Sequence, residues 1–325
     1  MEDGARDWVE CATHGAQAPA FVCVHLIPAL HAGTVRHTGF VEADVQPDEG
    51  HAAESCGWCE TCETVRAQEG GWNDRSEQHA QVKLVCEACF ERLRQLACVA
   101  SVVAALAVEL ERTPRALAAL FFGSAQRGRL EAHSDLDFYV LVDGDERWRE
   151  GRMRDDLPLE LSFSPARYLE QRVREHGPVV AHALATGEIL FDRTGELAAL
   201  VSEARRLWAA GPPPASDAER LRWRFRLTDL FHDLCDLGSD GPDAAAVAAL
   251  LVQRAVEASC ACRGTWLPPR KQMVEALHRD QPELAPLVER YYTAPGVAAA
   301  LSVGEHVLDD LGGLLVEYRT EPSKC

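Results

Sequence analysis

Two acids, Asp135 and Asp137, head an apolar run, DLDFYVLV. As a strand over 135–142, this run projects both carboxylates from one face, because side chains alternate along an extended backbone. Such a pair repels unless cations lie between the two charges. Holding Mg2+ against a nucleoside triphosphate is the chemistry that arrangement supports. Ten residues separate Asp135 from Ser124, which follows Phe121-Phe122-Gly123. Gly123 lets the backbone come close to a ligand. Ser124, at the start of a helix over 124–130, offers its hydroxyl and free backbone N–H groups to phosphate oxygens. A third acid should come from a neighbouring strand. In PLELSFS, 158–164, Leu159, Leu161 and Phe163 share one face and Glu160 and Ser162 the other. Glu160 is thus an isolated acid on the polar side of a buried strand, and the best candidate.

A second set of residues points to metal of another kind. Eight of the twelve cysteines, and six of the twelve histidines, lie in residues 1–98. With no apolar leader in the N-terminal sequence, clustered cysteines read as metal ligands rather than disulfides. Cys59-x2-Cys62 and Cys86-x2-Cys89 are expected to complete one tetrahedral zinc site. Cys56-x2-Cys59 gives a competing register, so one of these three thiols is spare. Cys11-x2-His14 and Cys23-x-His25 are expected to form a second, Cys2His2 site. Both sites would be closed by four protein ligands, and so would stabilise a segment with little apolar core rather than catalyse.

Other elements must position these groups. ALAALFF, 116–122, has helical propensity, but Thr113-Pro114 before it and Gly123-Ser124 after it bracket a short buried strand better. Gly211-Pro-Pro-Pro-Ala-Ser216 is a stiff linker, and Ser216 with Asp217 suits a helix start. Beyond it, 217–237, 242–262, 270–278, 282–292 and 297–318 read as helices. The expected organisation is a zinc-stabilised domain over 1–98, an α/β (α+β) core with a mixed sheet over 99–210, and an all-α domain over 211–325.

The net charge of −18 divides equally, −9 on residues 1–98 and −9 on the remainder. Broad nucleic-acid binding needs positive surface and is not expected. No apolar run reaches the ~18 residues of a membrane helix, so no membrane partner is expected, and the expected compartment is the cytoplasm.

The Phe121-Phe122-Gly123-Ser124 … Asp135-Leu136-Asp137 pattern, with Arg127-Gly128 in the intervening stretch, resembles the nucleotidyltransferases of the DNA polymerase beta superfamily. The resemblance covers about 112–163. It implies that Gly123 and Ser124 seat the triphosphate, that Asp135, Asp137 and Glu160 bind Mg2+, and that Arg127 reaches a phosphate. The stretch 264–294 resembles the helical domain of aminoglycoside and lincosamide adenylyltransferases. There Pro268-Pro269-Arg270-Lys271 and Tyr291-Tyr292 match residues that bind nucleotide. The implied reaction moves a nucleoside monophosphate, AMP from ATP, onto a hydroxyl of a small molecule or protein. The Cys/His segment, with its HG…FVCxHL and WCxxCE phrases, is foreign to that pattern and reads as a recognition or docking module.

Two alternatives stand beside this one. Antitoxin-type nucleotidyltransferases modify a partner carrying Arg-x(4–6)-His on a helix, and this chain has Arg226-x5-His232. A zinc-stabilised binding protein on an inactive nucleotidyltransferase fold is the other. Retention of Ser124, both aspartates and Glu160 counts against it.

Overall fold

A computed structural model describes residues 8–33, 39–43, 55–131, 134–175 and 177–318. The fold is mixed α and β, and the chain divides into two compact units, Met1–Arg205 and Arg206–Cys325.

In the first unit the N-terminal elements are β1 (Val9–Cys11), β2 (Gly15–Gln17), β3 (Pro19–Val22), α1 (Ile27–Ala32), β4 (Val41–Glu42), β5 (Ser55–Trp58), α2 (Glu60–Gln68), α3 (Asp74–Ala80) and β6 (Lys83–Cys86). β1 and β2 form a hairpin, and a four-stranded sheet runs β4-β5-β3-β6. β3 is parallel to β5 and antiparallel to β6. Strand direction therefore sends the ends of β3 and β5 to one side of the sheet, and the end of β6 to the other.

α4 (Glu87–Glu111) then runs 25 residues without a break, about 37 Å at the α-helical rise. Its first turns place Phe90 and Leu93 in the core under the N-terminal sheet. Its later turns place Val99, Val102, Leu106 and Leu110 against a second sheet. The expected boundary at residue 98 falls inside this helix. Cysteine density ends there, but helical periodicity does not.

The second sheet comprises β7 (Ala116–Phe122), β8 (Leu136–Val142), β9 (Trp148–Arg154), β10 (Leu157–Ser164) and β11 (Glu188–Asp192), in the order β11-β7-β8-β10-β9. Only the β8–β10 pair is parallel among its described ladders. α5 (Gly123–Gln126), α6 (Ala166–Arg174), α7 (Pro178–Thr186) and α8 (Glu196–Ala210) complete this part, and the division between the two units falls inside α8. β7 is a strand despite its helix-favouring Ala and Leu. Ala116, Ala118, Ala119 and Leu120 are fully buried in a strand flanked on both edges, so tertiary burial overrides local propensity.

The second unit is helical: α9 (Asp217–Leu237), α10 (Pro242–Arg263), α11 (Met273–Asp280), α12 (Ala285–Thr293) and α13 (Val297–Asp310). A capping box opens α9, in which Ser216 accepts from the Glu219 N–H while the Glu219 carboxylate accepts from the Ser216 N–H. α13 ends at Asp310, short of the expected 318, where Gly312 and Gly313 take positive φ. α4 and α10 are long and apolar enough to cross a membrane by length and composition. Both set their apolar faces into the cores of this fold.

Candidate active site and metal sites

β7 and β8 pair with Phe122 opposite Asp137, so the chain leaves β7 at Gly123 directly beside that carboxylate. β8 and β10 run parallel with Asp137 opposite Glu160. One oxygen each from Asp135, Asp137 and Glu160 lies within 4.8 Å of the others, a group that can hold a cation. The three acids crowd one another. Burial, with the Asp135 and Glu160 charges beside it, pushes the Asp137 carboxyl up to about 7. Such an arrangement fits divalent cations, which would relieve the repulsion.

Gly123 has φ +93, and a Cβ there would lie 2.3 Å from Asp137 Oδ2. No L side chain fits that place without moving the acid or straining the turn. Gly123→Ala is expected to lower the melting temperature by several degrees and weaken cation binding at the triad. Scanning fluorimetry with and without Mn2+ checks this; wild-type behaviour would show that the turn relaxes freely.

The helix expected over 124–130 stops after one turn, at Gln126. Gly128 ends it with φ +69. The Arg129 N–H donates to the Ser124 carbonyl and the Gly128 N–H to the Ala125 carbonyl, both at 2.9 Å. This reciprocal pair terminates a helix on a left-handed glycine. Arg127 thus sits in the turn rather than on a helix face. It is partly buried; burial and neighbouring Arg129 press its pKa down, and the Asp137 charge opposes them.

Two further residues, one beside Glu160 and one within reach of the Arg127 charge, carried no motif. Arg149 on β9 donates to Glu160 at 3.0 Å. Its side is set by register, since Ser162 lies opposite Arg149 in the β10–β9 ladder. His182 lies on the apolar helix α7, where burial first and the Arg127 charge second lower its pKa. A lone histidine within PVVAHALAT was the only trace of it in the sequence.

Lys271 lies in the second unit, on a single 3-10 turn (Arg270–Gln272) that leads into α11. Tyr291 is buried in the helical core, and Tyr292 is half exposed. Arg226 lies over the ring of Trp223 on its own helix, with 5.8 Å to the centroid, which is a helix-surface role.

The Cys/His ligands group differently from the expectation. One tetrad is Cys11, His14, Cys86 and Cys89; the other is Cys23, His25, Cys59 and Cys62. The expected pairing of Cys59 and Cys62 with Cys86 and Cys89, and of Cys11 and His14 with Cys23 and His25, is corrected on this point. Strand direction is the reason. Parallel β3 and β5 deliver Cys23-x-His25 and Cys59-x2-Cys62 to one side, with Val22 opposite Gly57. Antiparallel β6 brings Cys86 opposite Pro19, at the start of β3 next to the β1–β2 hairpin. Each tetrad is Cys3His. Cys56 belongs to neither.

Ligand spacing is close to that of a tetrahedral ion, whose donors should lie about 3.3–3.8 Å apart, with Cys11 Sγ and Cys89 Sγ a wider pair at 4.0 Å. His14 Nδ1 is 3.5 Å from Cys11 Sγ, 3.3 Å from Cys86 Sγ and 3.5 Å from Cys89 Sγ. His25 Nδ1 is 3.2 Å from Cys62 Sγ and 3.8 Å from Cys59 Sγ. Cys59 caps α2 and Cys86 caps α4, so both C-x-x-C pairs straddle helix N-termini, where thiolate charge is favoured. Without a cation two of the thiols resist ionising: burial and neighbouring Cys86 push Cys89 up to about 12, and burial with the Cys23 charge drives Cys62 strongly upward, whereas backbone N–H groups of Thr13 and His14 bring Cys11 down to about 6.

No protein-family model and no curated protein matches the chain. Among solved structures it is similar to a nucleotidyltransferase-like protein from Exiguobacterium sibiricum 255-15. That pair shares 18% identity over 66% of this chain and 74% of that one, with a TM-score of 0.38. So distant a likeness decides nothing about the site, which stands on its own geometry.

Proposed function

We propose that this chain is a nucleotidyltransferase that moves a nucleoside monophosphate, AMP from ATP, onto a hydroxyl of a small molecule or protein. The observation that carries this reading is the convergence of Asp135, Asp137 and Glu160 on the turn at Gly123, whose missing side chain leaves room for Asp137. In the reaction the acceptor oxygen bonds to the α-phosphorus, the bond from that phosphorus to the bridging oxygen breaks, and pyrophosphate leaves. The acceptor proton passes to solvent.

Asp135, Asp137 and Glu160 would hold Mg2+, which when bound supplies charge neutralisation at the phosphates and lowers the pKa of the acceptor hydroxyl. The Gly123-Ser124 turn seats the triphosphate, with the Ser124 hydroxyl as a donor. The Arg127 guanidinium, close enough to feel the Asp137 charge, would balance phosphate charge. Arg149 keeps Glu160 oriented through its 3.0 Å bond. The two Cys3His tetrads would hold structural Zn2+, because thiolate-rich closed sets with helix-capped C-x-x-C pairs suit that ion.

The test is Mg2+-dependent transfer from α-labelled ATP, with a cell extract as acceptor source, comparing wild type with Asp135→Asn. Label on a small molecule or protein with wild type alone is the expected result. No transfer from any triphosphate, with zinc bound, would leave a non-catalytic binding protein as the better reading.

A further inference from the structure

The Arg127-Gly128 turn is gripped from outside the sheet that carries the acids. Arg92 on α4 donates through Nη2 to the Gly128 carbonyl at 2.5 Å. Gly33, which closes α1, lies beside this contact, and a Cβ on it would be 3.9 Å from Arg92 Nη2. A Cβ on Gly128 would come 1.7 Å from the Gly33 carbonyl oxygen, and a Cβ on Gly33 would meet the Arg127 carbonyl at 3.4 Å. Gly128 is buried, so these two approaches fill the space behind the turn.

Each gripping residue hangs from a different Cys/His tetrad. α4 begins at its cap Cys86 and carries Cys89 in its first turn. Arg92 lies three residues beyond Cys89, and so on the same side of the helix. Gly33 ends α1, which is reached from His25 through the 3-10 turn Val24–Leu26. One tetrad fixes the origin of one jaw, and the other tetrad fixes the origin of the second.

We propose that the Cys/His region is a positioning element for the triphosphate site, with Arg92 and Gly33 as positioning residues. They act through the Arg127-Gly128 turn and touch no acid of the triad. This inference rests on the nucleotidyl-transfer reading. It gives the N-terminal region a role in holding nucleotide: it fixes where the turn presents Ser124 and Arg127, and small displacements at such a site cost affinity and rate steeply.

The test uses the full, zinc-loaded chain and the non-hydrolysable analogue α,β-methylene-ATP, with Mn2+ titration and zinc content alongside. Arg92→Ala is expected to weaken analogue binding by about tenfold, the usual scale for losing a bond from a charged donor. Mn2+ affinity at the triad and zinc content should stay at wild-type values. Arg92→Lys, which keeps a cationic donor, should fall between the two. A merely structural Arg92 would move Mn2+ affinity and zinc content as well, and that result would overturn the proposal. So would wild-type analogue binding by Arg92→Ala. Should Arg92→Ala lose its folding transition, Arg92→Lys decides alone: weakened analogue binding with intact zinc supports the proposal, and equal binding overturns it. A wild-type chain that binds no analogue would sink the nucleotidyl reading and this inference together.

Discussion

Cys11→Ser/Cys86→Ser is expected to lose one zinc ion and keep the other at wild-type affinity. Both substitutions fall in one tetrad, leaving Cys23, His25, Cys59 and Cys62 complete. Had Cys86 shared an ion with Cys59 and Cys62, the same pair would damage two sites at once, and no ion would be held at wild-type affinity. Metal analysis of the purified double variant, with a chelator competition, separates the two outcomes. The effect on folding should be large. Structural zinc is worth on the order of 10–16 kcal/mol to folds that have little other core. Here the second tetrad and the core of Phe90 and Leu93 hold the remaining ligands, so the melting temperature should fall while the other ion stays bound.

Asp137→Asn should make the metal-free protein more stable and the enzyme nearly inactive. Asn has the shape of Asp without the charge that burial, Asp135 and Glu160 penalise. The sign follows from proton binding. Between the ordinary carboxyl range near pH 3.8 and the folded value of about 7, the native state keeps a proton that the unfolded chain has lost. The stability due to that proton is present below the lower value and gone above the upper one. The gain in melting temperature for Asp137→Asn should therefore grow from about pH 4 to about pH 7 and level off beyond. Transfer should fall by about a thousandfold or more, roughly 4 kcal/mol of transition-state stabilisation. A melting temperature that drops at pH 8 without metal would show that Asp137 is held by favourable contacts rather than strained by its neighbours.

The acids and the Gly-Ser turn could be read from the sequence because their constraints are local. Alternation puts Asp135 with Asp137 on one strand face and Glu160 on the polar face of another, and Gly123 announces a backbone that other residues take only with strain. The register that sets Asp137 opposite Glu160 is met only in the sheet. Even β7 could be read against its propensity, since Pro114 and Gly123 bracket it. The eight ligands could be picked out by type and spacing, but not how they divide. That depends on β3 running parallel to β5 and antiparallel to β6, which no spacing encodes. Arg149 and Arg92 escaped notice for a similar reason. Their partners, Glu160 and Gly128, lie 11 and 36 residues away and are met only after the strands and helices pack. The helix expected over 124–130 ends early because Gly128, inside that span, terminates it in a left-handed turn.

α4 has a further consequence. One rod donates Phe90 and Leu93 to the core at its head and Val99, Val102, Leu106 and Leu110 to the core at its tail. A break at the point where cysteine density ends would cut this helix in mid-span. Each fragment would then expose a greasy stump. The two halves of Met1–Arg205 are thus expected to withstand proteolysis as one piece, with α4 resisting cleavage where cysteine density ends.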